Sequence, residues 1–517
     1  MTRGGMRQLV VAATALLWAA GCGNPSDAAG WARRAASRSR TQEKLEALEQ
    51  VRRSPGDRRA AVPYLLEVLK QSPKVRAEAA LVLGEIGDPA AIPGLVAAVD
   101  PGASDRDGFE ANRKLSTALG SLRAREAVPV LLKLTSSPDG YTQVAAVDAL
   151  GLIGDPAAVG RLVEVAGSPA VEPVTAQHAL LALGRIGDPR AAPVVVRMLY
   201  EERSGVSFFP QAAFAAVEIG RPMAPPLLAV LEGRDPALQV WARERKVVPG
   251  ALYAKAAQLL GDVGGPESVP ALVAKLGYRD ADPSLELLVR VFAAESLGRL
   301  RAKESVRPLS ELLGREADPD ARDRYCEALA RIGDPSCLPA LRAAAQRGDW
   351  DMKVGPLTAL SRLGGAAEIP VVERAREAEC RGKCPADRAA AFEGMKARLA
   401  AAAACRDVKC WAKKLDDPRP EVRDRAALEV GRAGSAADAA ALSAAILRPV
   451  AGDADLAARY HAVLGLGWIA GRETLGSAAP EIASRIDGMI ASERGRRLTE
   501  GVNEDALRLA VRLRRGR

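Results

Sequence analysis

The sequence predicts an all-α protein, an α-solenoid (superhelix) of about eleven antiparallel helix pairs. Hydrophobic residues make up 48% of the 517 residues but aromatic residues only 4%, so the core must consist of closely packed Ala, Leu and Val. A phrase of glycine, aspartate and proline recurs, mostly at steps of about 31 to 37 residues, which is the length of a two-helix repeat. A chain this long exceeds one compact core, and these patterns favour a repeat array.

The first residues resemble a bacterial secretory signal. Arg3 and Arg7 precede an apolar run over residues 9–20, which is shorter than the about 20 residues that a transmembrane helix needs. The segment that ends at Cys22 resembles the lipobox of bacterial lipoproteins. The resemblance implies a signal peptide over residues 1–21, lipidation of Cys22 and an anchor at the cell envelope, in the outer membrane and facing the periplasm. Signal cleavage without lipidation and a retained anchor helix are the alternatives.

The segment after the signal lacks helical periodicity. Residues 22–40 are mostly small, polar or basic, which predicts a lipidated N-terminus followed by a flexible tether. The solenoid is predicted to occupy residues 41–517, with a helix that begins near Thr41. The apolar stripe of this first helix is weak, as expected of the capping unit at the end of a repeat array.

The recurring phrase predicts the turn between one helix and the next. Gly87 can adopt the left-handed backbone that ends a helix, Asp88 can cap the following helix, and Pro89 fits its first position. Downstream, apolar residues fall at the spacing i, i+3, i+4 and i+7, which is one face of a helix. The clearest copies of the phrase cover residues 84–89, 151–156, 184–189 and 331–335.

This pattern resembles the HEAT-repeat family, and in particular the short repeats of phycobilin-lyase-like proteins, over roughly residues 60–480. The resemblance implies stacked helix pairs. Because HEAT arrays serve mostly as scaffolds or binding surfaces, it also implies, by analogy, a role in binding a partner. The formal net charge of +9 is mild for this length and argues against nucleic acid as that partner.

The repeat is irregular over residues 200–250. One step of the phrase is longer than its neighbours here, and the excess contains a tryptophan among arginines, while two phenylalanines mark a smaller irregularity upstream. Insertions in repeats often lie on the binding face, and tryptophan and arginine are frequent binding hot spots. A helix extension in which the aromatic residues simply pack is the alternative. The candidate partner-binding residues are Trp241, Arg243, Arg245, Phe208 and Phe209.

A second irregularity covers residues 365–415, where one long step must hold two repeat units. It contains two close pairs of cysteines, Cys380 with Cys384 and Cys405 with Cys410. In an exported protein such pairs indicate disulfides, although four cysteines allow three pairings. A four-cysteine zinc site is the alternative, and the wider second pair and the lack of a nearby histidine argue against it.

The sequence shows no catalytic constellation. Its two histidines, His178 and His461, lie in separate alanine-rich helices and are expected to be packed or partly exposed helix residues. The deoxyhypusine hydroxylases share this repeat type, but their iron ligands come in His-Glu pairs, which this sequence lacks. No catalytic residue, metal site or cofactor is therefore predicted.

These observations lead to one main expectation about function. The chain is expected to be an exported, lipid-anchored scaffold, not an enzyme, that binds a protein or peptide at the cell envelope. The alternative is a lyase-like or accessory maturation factor that acts on a substrate held in the groove of the solenoid.

Overall fold

A computed structural model describes residues 27–381 and 383–514, and the predicted signal peptide and Cys22 lie outside them. The described residues are all-α in character, with 29 helices and one β-hairpin whose two strands are each two residues long. The helices form fourteen antiparallel pairs and one inserted helix, more than the about eleven pairs predicted. The additional pairs lie at the two ends and inside the 365–415 irregularity, where the recurring phrase is absent.

The chain divides into two compact units, of which the first comprises residues up to 194 and 201–215. It stacks short first helices against longer second helices, and consecutive second helices contact one another. Its helices are Ala28–Ser37, Thr41–Arg53, Val62–Val68, Pro73–Ile86, Ile92–Ala98, Arg106–Ser121, Val128–Leu134, Gly140–Ile153, Val159–Gly167 and Pro173–Ile186, and the helices Ala192–Met198 and Phe209–Ile219 cross its boundary.

The second unit comprises residues 195–200 and 216–517. It continues the same alternation of first and second helices. Its helices are Ala224–Leu231, Pro236–Glu244, Pro249–Val263, Val269–Lys275, Pro283–Leu300, Val306–Arg315, Pro319–Ile332, Leu338–Ala344, Trp350–Leu363, Ile369–Glu379, Ala386–Ala404, Val408–Lys414, Pro420–Ala433, Ala439–Ile446, Asp453–Arg472, Ala478–Ser492 and Glu500–Arg514.

The predicted turn chemistry is present in the structure. Gly87 ends its helix with φ +73°, and the side chain of Asp88 accepts a hydrogen bond from the Ala90 N–H at 3.0 Å. Copies of this turn occur where Gly154, Gly187 and Gly333 also have positive φ. The degenerate copy at Gly264 has negative φ, and there a side chain is excluded for another reason: an added Cβ would lie 2.4 Å from the Leu260 carbonyl oxygen.

The predicted tether over residues 22–40 is wrong for most of its described part. Helix Ala28–Ser37 is capped by Asp27, whose carboxylate accepts a hydrogen bond from the Gly30 N–H at 2.7 Å. Ala32 and Ala35 are fully buried, because alanine spacing lets this helix pack closely on the next ones. The first repeat pair therefore begins before Thr41.

The Phe208 region differs from the predicted surface anchor. Residues 202–207 form a hairpin in which Glu202 pairs with Ser207, and its two central residues, Ser204 and Gly205, both have positive φ. Phe208 itself is fully buried, with the Arg203 guanidinium 5.0 Å above its ring. Its assignment as a partner-binding residue is wrong, since burial leaves the ring no surface to offer.

The long step near residue 240 contains an extra helix, Pro236–Glu244, which Asp235 caps. Trp241 is half-buried on it, and Arg245 lies 4.9 Å from the ring centroid. No single helix in the described residues is both long and apolar enough to cross a membrane, whereas one bent pair, Phe209–Ile219 with Arg221–Leu231, passes the length and composition test.

Candidate functional site

The second helices of the second unit face one another across a closed inner side. The Arg301 guanidinium donates a hydrogen bond to the Arg432 carbonyl oxygen at 3.3 Å, and these residues are 131 positions apart. Arg432 in turn donates to the Ala330 carbonyl oxygen, 102 positions away. The groove predicted to hold a partner is thus partly filled by the unit's own side chains.

Five consecutive second helices each contribute one residue to a buried group that we call the inner charge cluster: Glu327, Arg362, Arg398, Asp424 and His461. Arg362 Nε and Arg398 Nε each donate to Asp424 Oδ2 at 2.9 Å. His461 Nε2 lies 2.8 Å from Glu327 Oε1, and His461 Nδ1 contacts Asp424. A carboxylate therefore faces each ring nitrogen of His461.

The carboxylates of the inner charge cluster are held ionised. Burial alone would raise the pKa of Asp424, but the guanidinium groups of Arg362 and Arg398 outweigh burial and hold this pKa well below its usual value. Burial alone would likewise raise the pKa of Glu327. The guanidinium groups of Arg362 and Arg331 outweigh burial and hold this pKa well below its usual value. Each carboxylate is therefore matched by cations, which indicates a structural cluster rather than a proton donor or acceptor.

The second unit also contains a cavity of about 660 Å³, here called the inner cavity. A second cavity of about 670 Å³ adjoins it and shares several lining residues, among them Asp262 and Arg512. Asp262 pairs with Arg299 and, at 3.5 Å, with Arg508, and Asp505 lies 3.2 Å from Arg508. The remaining charged side chains that line the inner cavity are Arg301, Lys303, Glu304, Arg472 and Arg512.

Arg512 differs from its neighbours in that no acid lies at hydrogen-bond or salt-bridge distance from it among the described residues, although Asp262 and Asp505 are near enough to act on its charge. It makes no hydrogen bond or salt bridge with any residue in the part of the chain that the structure describes, and its Nε is buried. Burial lowers the pKa of Arg512, Asp262 and Asp505 oppose this shift, and Arg299 and Arg508 add to it. Burial together with Arg432 and Arg472 likewise lowers the pKa of Arg301 to about 10. The inner cavity therefore contains positive charge that the protein itself does not neutralise.

The structure does not assemble an iron site from the available histidines. His178 Nδ1 is 2.8 Å from Asp148 in the first unit, while His461 is enclosed by the inner charge cluster of the second. Over residues 27–381 and 383–514, no group of three or more His, Cys, Asp or Glu side chains is arranged to hold a metal ion. The donor set does not fit the iron ligation of the hydroxylases, and no reaction step through a metal is derived.

The four cysteines of the 365–415 irregularity lie at disulfide distance in two pairs. Cys380 is paired with Cys384 across the link between helices Ile369–Glu379 and Ala386–Ala404. Cys405 is paired with Cys410 across the turn to the next repeat, where Asp407 caps the following helix by accepting the Cys410 N–H at 2.8 Å. This second cysteine pair thus lies at the turn where the glycine phrase is missing.

The remaining predicted residues of the 200–250 irregularity do not converge on one site. Arg243 is exposed and lines a small cavity of about 210 Å³ with Tyr253 and Asp235, whereas Trp241 does not line it. The Trp241 Nε1 atom is buried without a hydrogen-bond partner among the described residues. Phe209 is half-buried at the start of its helix. Partner binding by these residues stays a prediction.

The family is decided by comparison with known sequence families. The model of HEAT repeats matches residues 35–112, 103–177, 128–207, 249–324 and 306–395, which together exceed half of the chain. The chain belongs to the HEAT-repeat family. This HEAT-repeat protein therefore has the fold that its turn chemistry predicts.

Curated relatives of this HEAT-repeat protein carry the name deoxyhypusine hydroxylase. The relative from Bos taurus is 27% identical over 309 residues, which cover 59% of this chain and 86% of the relative. The relative from Mus musculus is 29% identical and matches 53% of this chain and 80% of its own length. The relative from Homo sapiens is 28% identical over 53% of this chain and 81% of its own length.

Solved structures similar to this HEAT-repeat protein match it at low sequence identity. Human deoxyhypusine hydroxylase in complex with glycerol is 22% identical, covers 58% of this chain and 94% of its own, and has a TM-score of 0.22. Kap121p bound to Pho4p is 11% identical, covers 94% of this chain and 65% of its own, and has a TM-score of 0.48. The CpcE and CpcF complex of phycocyanin lyase from Nostoc sp. PCC7120 is 23% identical, covers 52% of this chain and 94% of its own, and has a TM-score of 0.26.

The curated relatives correct two expectations. The expected function of this HEAT-repeat protein as an exported scaffold is wrong, because its curated relatives are named as enzymes, and these names do not bear on the predicted lipid anchor. The expectation that it is not an enzyme is wrong for the same reason. The alternative of a lyase-like or accessory maturation factor agrees better with these relatives.

Proposed function

We propose that the chain is an enzyme or an accessory maturation factor that acts on a substrate bound at the inner side of the second unit. The observation that carries the proposal is the similarity to deoxyhypusine hydroxylases over up to 86% of their length. The inner cavity supports the location, because its volume of about 660 Å³ lies within the usual range of ligand sites in proteins.

The reaction is not assigned to iron-dependent hydroxylation. The chain has two histidines in all, and neither belongs to a group of side chains that could hold a metal among the described residues. We therefore propose that the chain takes part in the maturation of a substrate, and we do not assign the hydroxylation reaction to it.

The test compares cells that contain the wild-type chain with cells that lack it. Quantitative mass spectrometry of peptides and small molecules should reveal at least one species that loses a mass increment when the chain is absent. Wild-type chain supplied in trans should restore that species, and so should Arg307→Gln, which changes an exposed arginine that does not line the cavity. Identical mass profiles in the two strains would overturn the proposal.

We propose separately that the protein acts at the cell envelope, with the membrane reached through lipidated Cys22. The support is the resemblance of the segment before Cys22 to a lipobox. The substrate would then be an envelope protein or peptide. This location is independent of the reaction, and the two are tested by different experiments.

A further inference from the structure

The inner cavity carries more cationic than anionic side chains. Arg299 and Arg508 are neutralised by Asp262 and Asp505 through the ion pairs described above. Four cations remain, namely Arg301, Lys303, Arg472 and Arg512, and the only other acid in the lining is the exposed Glu304. The excess is close to three positive charges in a space partly closed to water.

Two of these guanidinium groups are held in place by the backbone. Arg472 Nη2 donates to the carbonyl oxygens of Gly431 and Gly434, each at 3.0 Å. Arg301 donates to the Arg432 carbonyl oxygen, and its guanidinium carbon lies 5.2 Å from the centroid of the Trp468 ring. Carbonyl oxygens orient these cations without cancelling their charge, so the side chains are positioned before any ligand arrives.

Arg512 gives the strongest indication that the inner cavity binds an anion. A half-buried guanidinium without a partner destabilises a fold, because the group loses hydration and gains no hydrogen bond. An anion in the inner cavity would supply that partner, since guanidinium groups bind oxyanions through short, paired hydrogen bonds. A single carboxylate would leave most of the excess charge in place, whereas a phosphomonoester carries about −1.5 to −2 at pH 7.

We infer that the inner cavity binds a phosphoryl group, with Arg512, Arg301 and Arg472 as its oxyanion ligands and Lys303 at the rim. The inference deepens the proposed function, on which it rests for the identity of the ligand as substrate. The binding itself stands on the cavity and on its unneutralised cations.

The test is isothermal titration calorimetry on the mature chain with two probes, inorganic pyrophosphate and a short phosphoserine peptide. We expect the wild type and the exposed control Arg307→Gln to bind at least one probe with the same affinity. Arg512→Gln should weaken that binding at least about tenfold, and Lys303→Gln should weaken it less. Added salt should weaken binding in every variant. The probe that binds more tightly shows whether the phosphoryl group belongs to a small molecule or to a polypeptide.

A second measurement separates a ligand site from a structural role. If Arg512 is an unpaired cation that awaits a ligand, Arg512→Gln should raise the thermal unfolding midpoint of the free protein while it weakens phosphate binding. A lower midpoint with unchanged phosphate affinity would overturn the inference, as would the absence of binding in the wild type. Failure here would leave the mass profiles of the two strains unaffected, so it is distinguishable from failure of the proposed function.

Discussion

The indole N–H of Trp468 donates a hydrogen bond to the backbone carbonyl oxygen of Arg299, at 2.9 Å and across 169 residues of chain. Each residue lies near the end of a second helix in the second unit, in helices Asp453–Arg472 and Pro283–Leu300. In an array whose repeats touch only their neighbours, two helices so distant in sequence would not meet. The bond therefore marks the place where the second unit closes on itself.

Trp468→Phe removes this bond and replaces the indole by a smaller aromatic ring. We expect the free energy of unfolding of the second unit to fall by about 1 kcal/mol, because the Arg299 carbonyl oxygen loses its donor. Urea denaturation followed by circular dichroism measures the change. Trp241→Phe is the matched control, since the Trp241 Nε1 has no partner to lose, and it should change stability by less than about 0.5 kcal/mol. Equal losses in both variants would contradict a role for the bond in closure.

Asp424→Asn should be far more damaging than a surface change of the same kind. Asp424 is 0% exposed and accepts hydrogen bonds from Arg362 and Arg398, so the amide would leave buried cations unbalanced. We expect a loss of about 3 kcal/mol in the free energy of unfolding. Asp416→Asn, which removes the exposed partner of Arg448, should cost less than about 1 kcal/mol. Similar denaturation midpoints for the two variants would refute the structural role of the inner charge cluster.

The ion pair between Glu493 and Arg459 is expected to cause part of the loss of stability in acid. Arg459 donates to both carboxylate oxygens of Glu493, at 2.7 and 3.0 Å, and these hydrogen bonds lower its pKa from 4.5 to about 2. Because the folded-state pKa is depressed, the stabilisation is complete above pH 4.5 and is lost as the pH falls toward 2. Glu493→Gln should therefore lose about 3 kcal/mol at pH 7 and flatten the stability profile between these values. In the exposed control Glu500→Gln the acid slope should stay as in the wild type.

The cysteine pairs can be tested by proteolysis. Arg381 and Lys383 lie between the first two cysteines, and Arg406 and Lys409 lie between the other two, so trypsin cuts inside both loops. A digest without reductant should yield peptides linked as Cys380–Cys384 and Cys405–Cys410, and reductant should separate them. Linked peptides that join the two pairs to each other would contradict the pairing in the structure. Each bond closes a short loop and should stabilise the fold by about 2 kcal/mol.

Cys22→Ser tests the envelope proposal. Without the thiol no lipid can be attached, so the protein should move from the membrane to the soluble fraction when cells are broken. Fractionation followed by immunoblotting measures the change, and Cys326→Ser serves as a control because Cys326 is a buried free cysteine within a repeat. Membrane association that survives in Cys22→Ser would disprove anchoring through this residue.

Local features of the fold were predictable and long-range ones were not. The turn at Gly87 and Asp88 is specified by adjacent residues, so the sequence shows it directly. Sequence reasoning interpreted His461 as a packed helix residue and missed its contact with Glu327, because no local pattern reveals which repeats meet 134 positions apart. One signal was available: Arg362 and Arg398 interrupt alanine and leucine positions inside second helices, and charges on a buried stripe indicate partners across the core.

The closure of the second unit also bears on how the two halves of the chain unfold. In the first unit the repeats contact their sequence neighbours, so its end repeats can fray one by one at little cost. In the second unit the bond between Trp468 and Arg299 and the contact of His461 with Glu327 join early repeats to late ones. Helix Asp453–Arg472 carries both Trp468 and His461, so a truncation that removes this helix would break both contacts at once and should act as a cooperative switch and not as a gradual shortening.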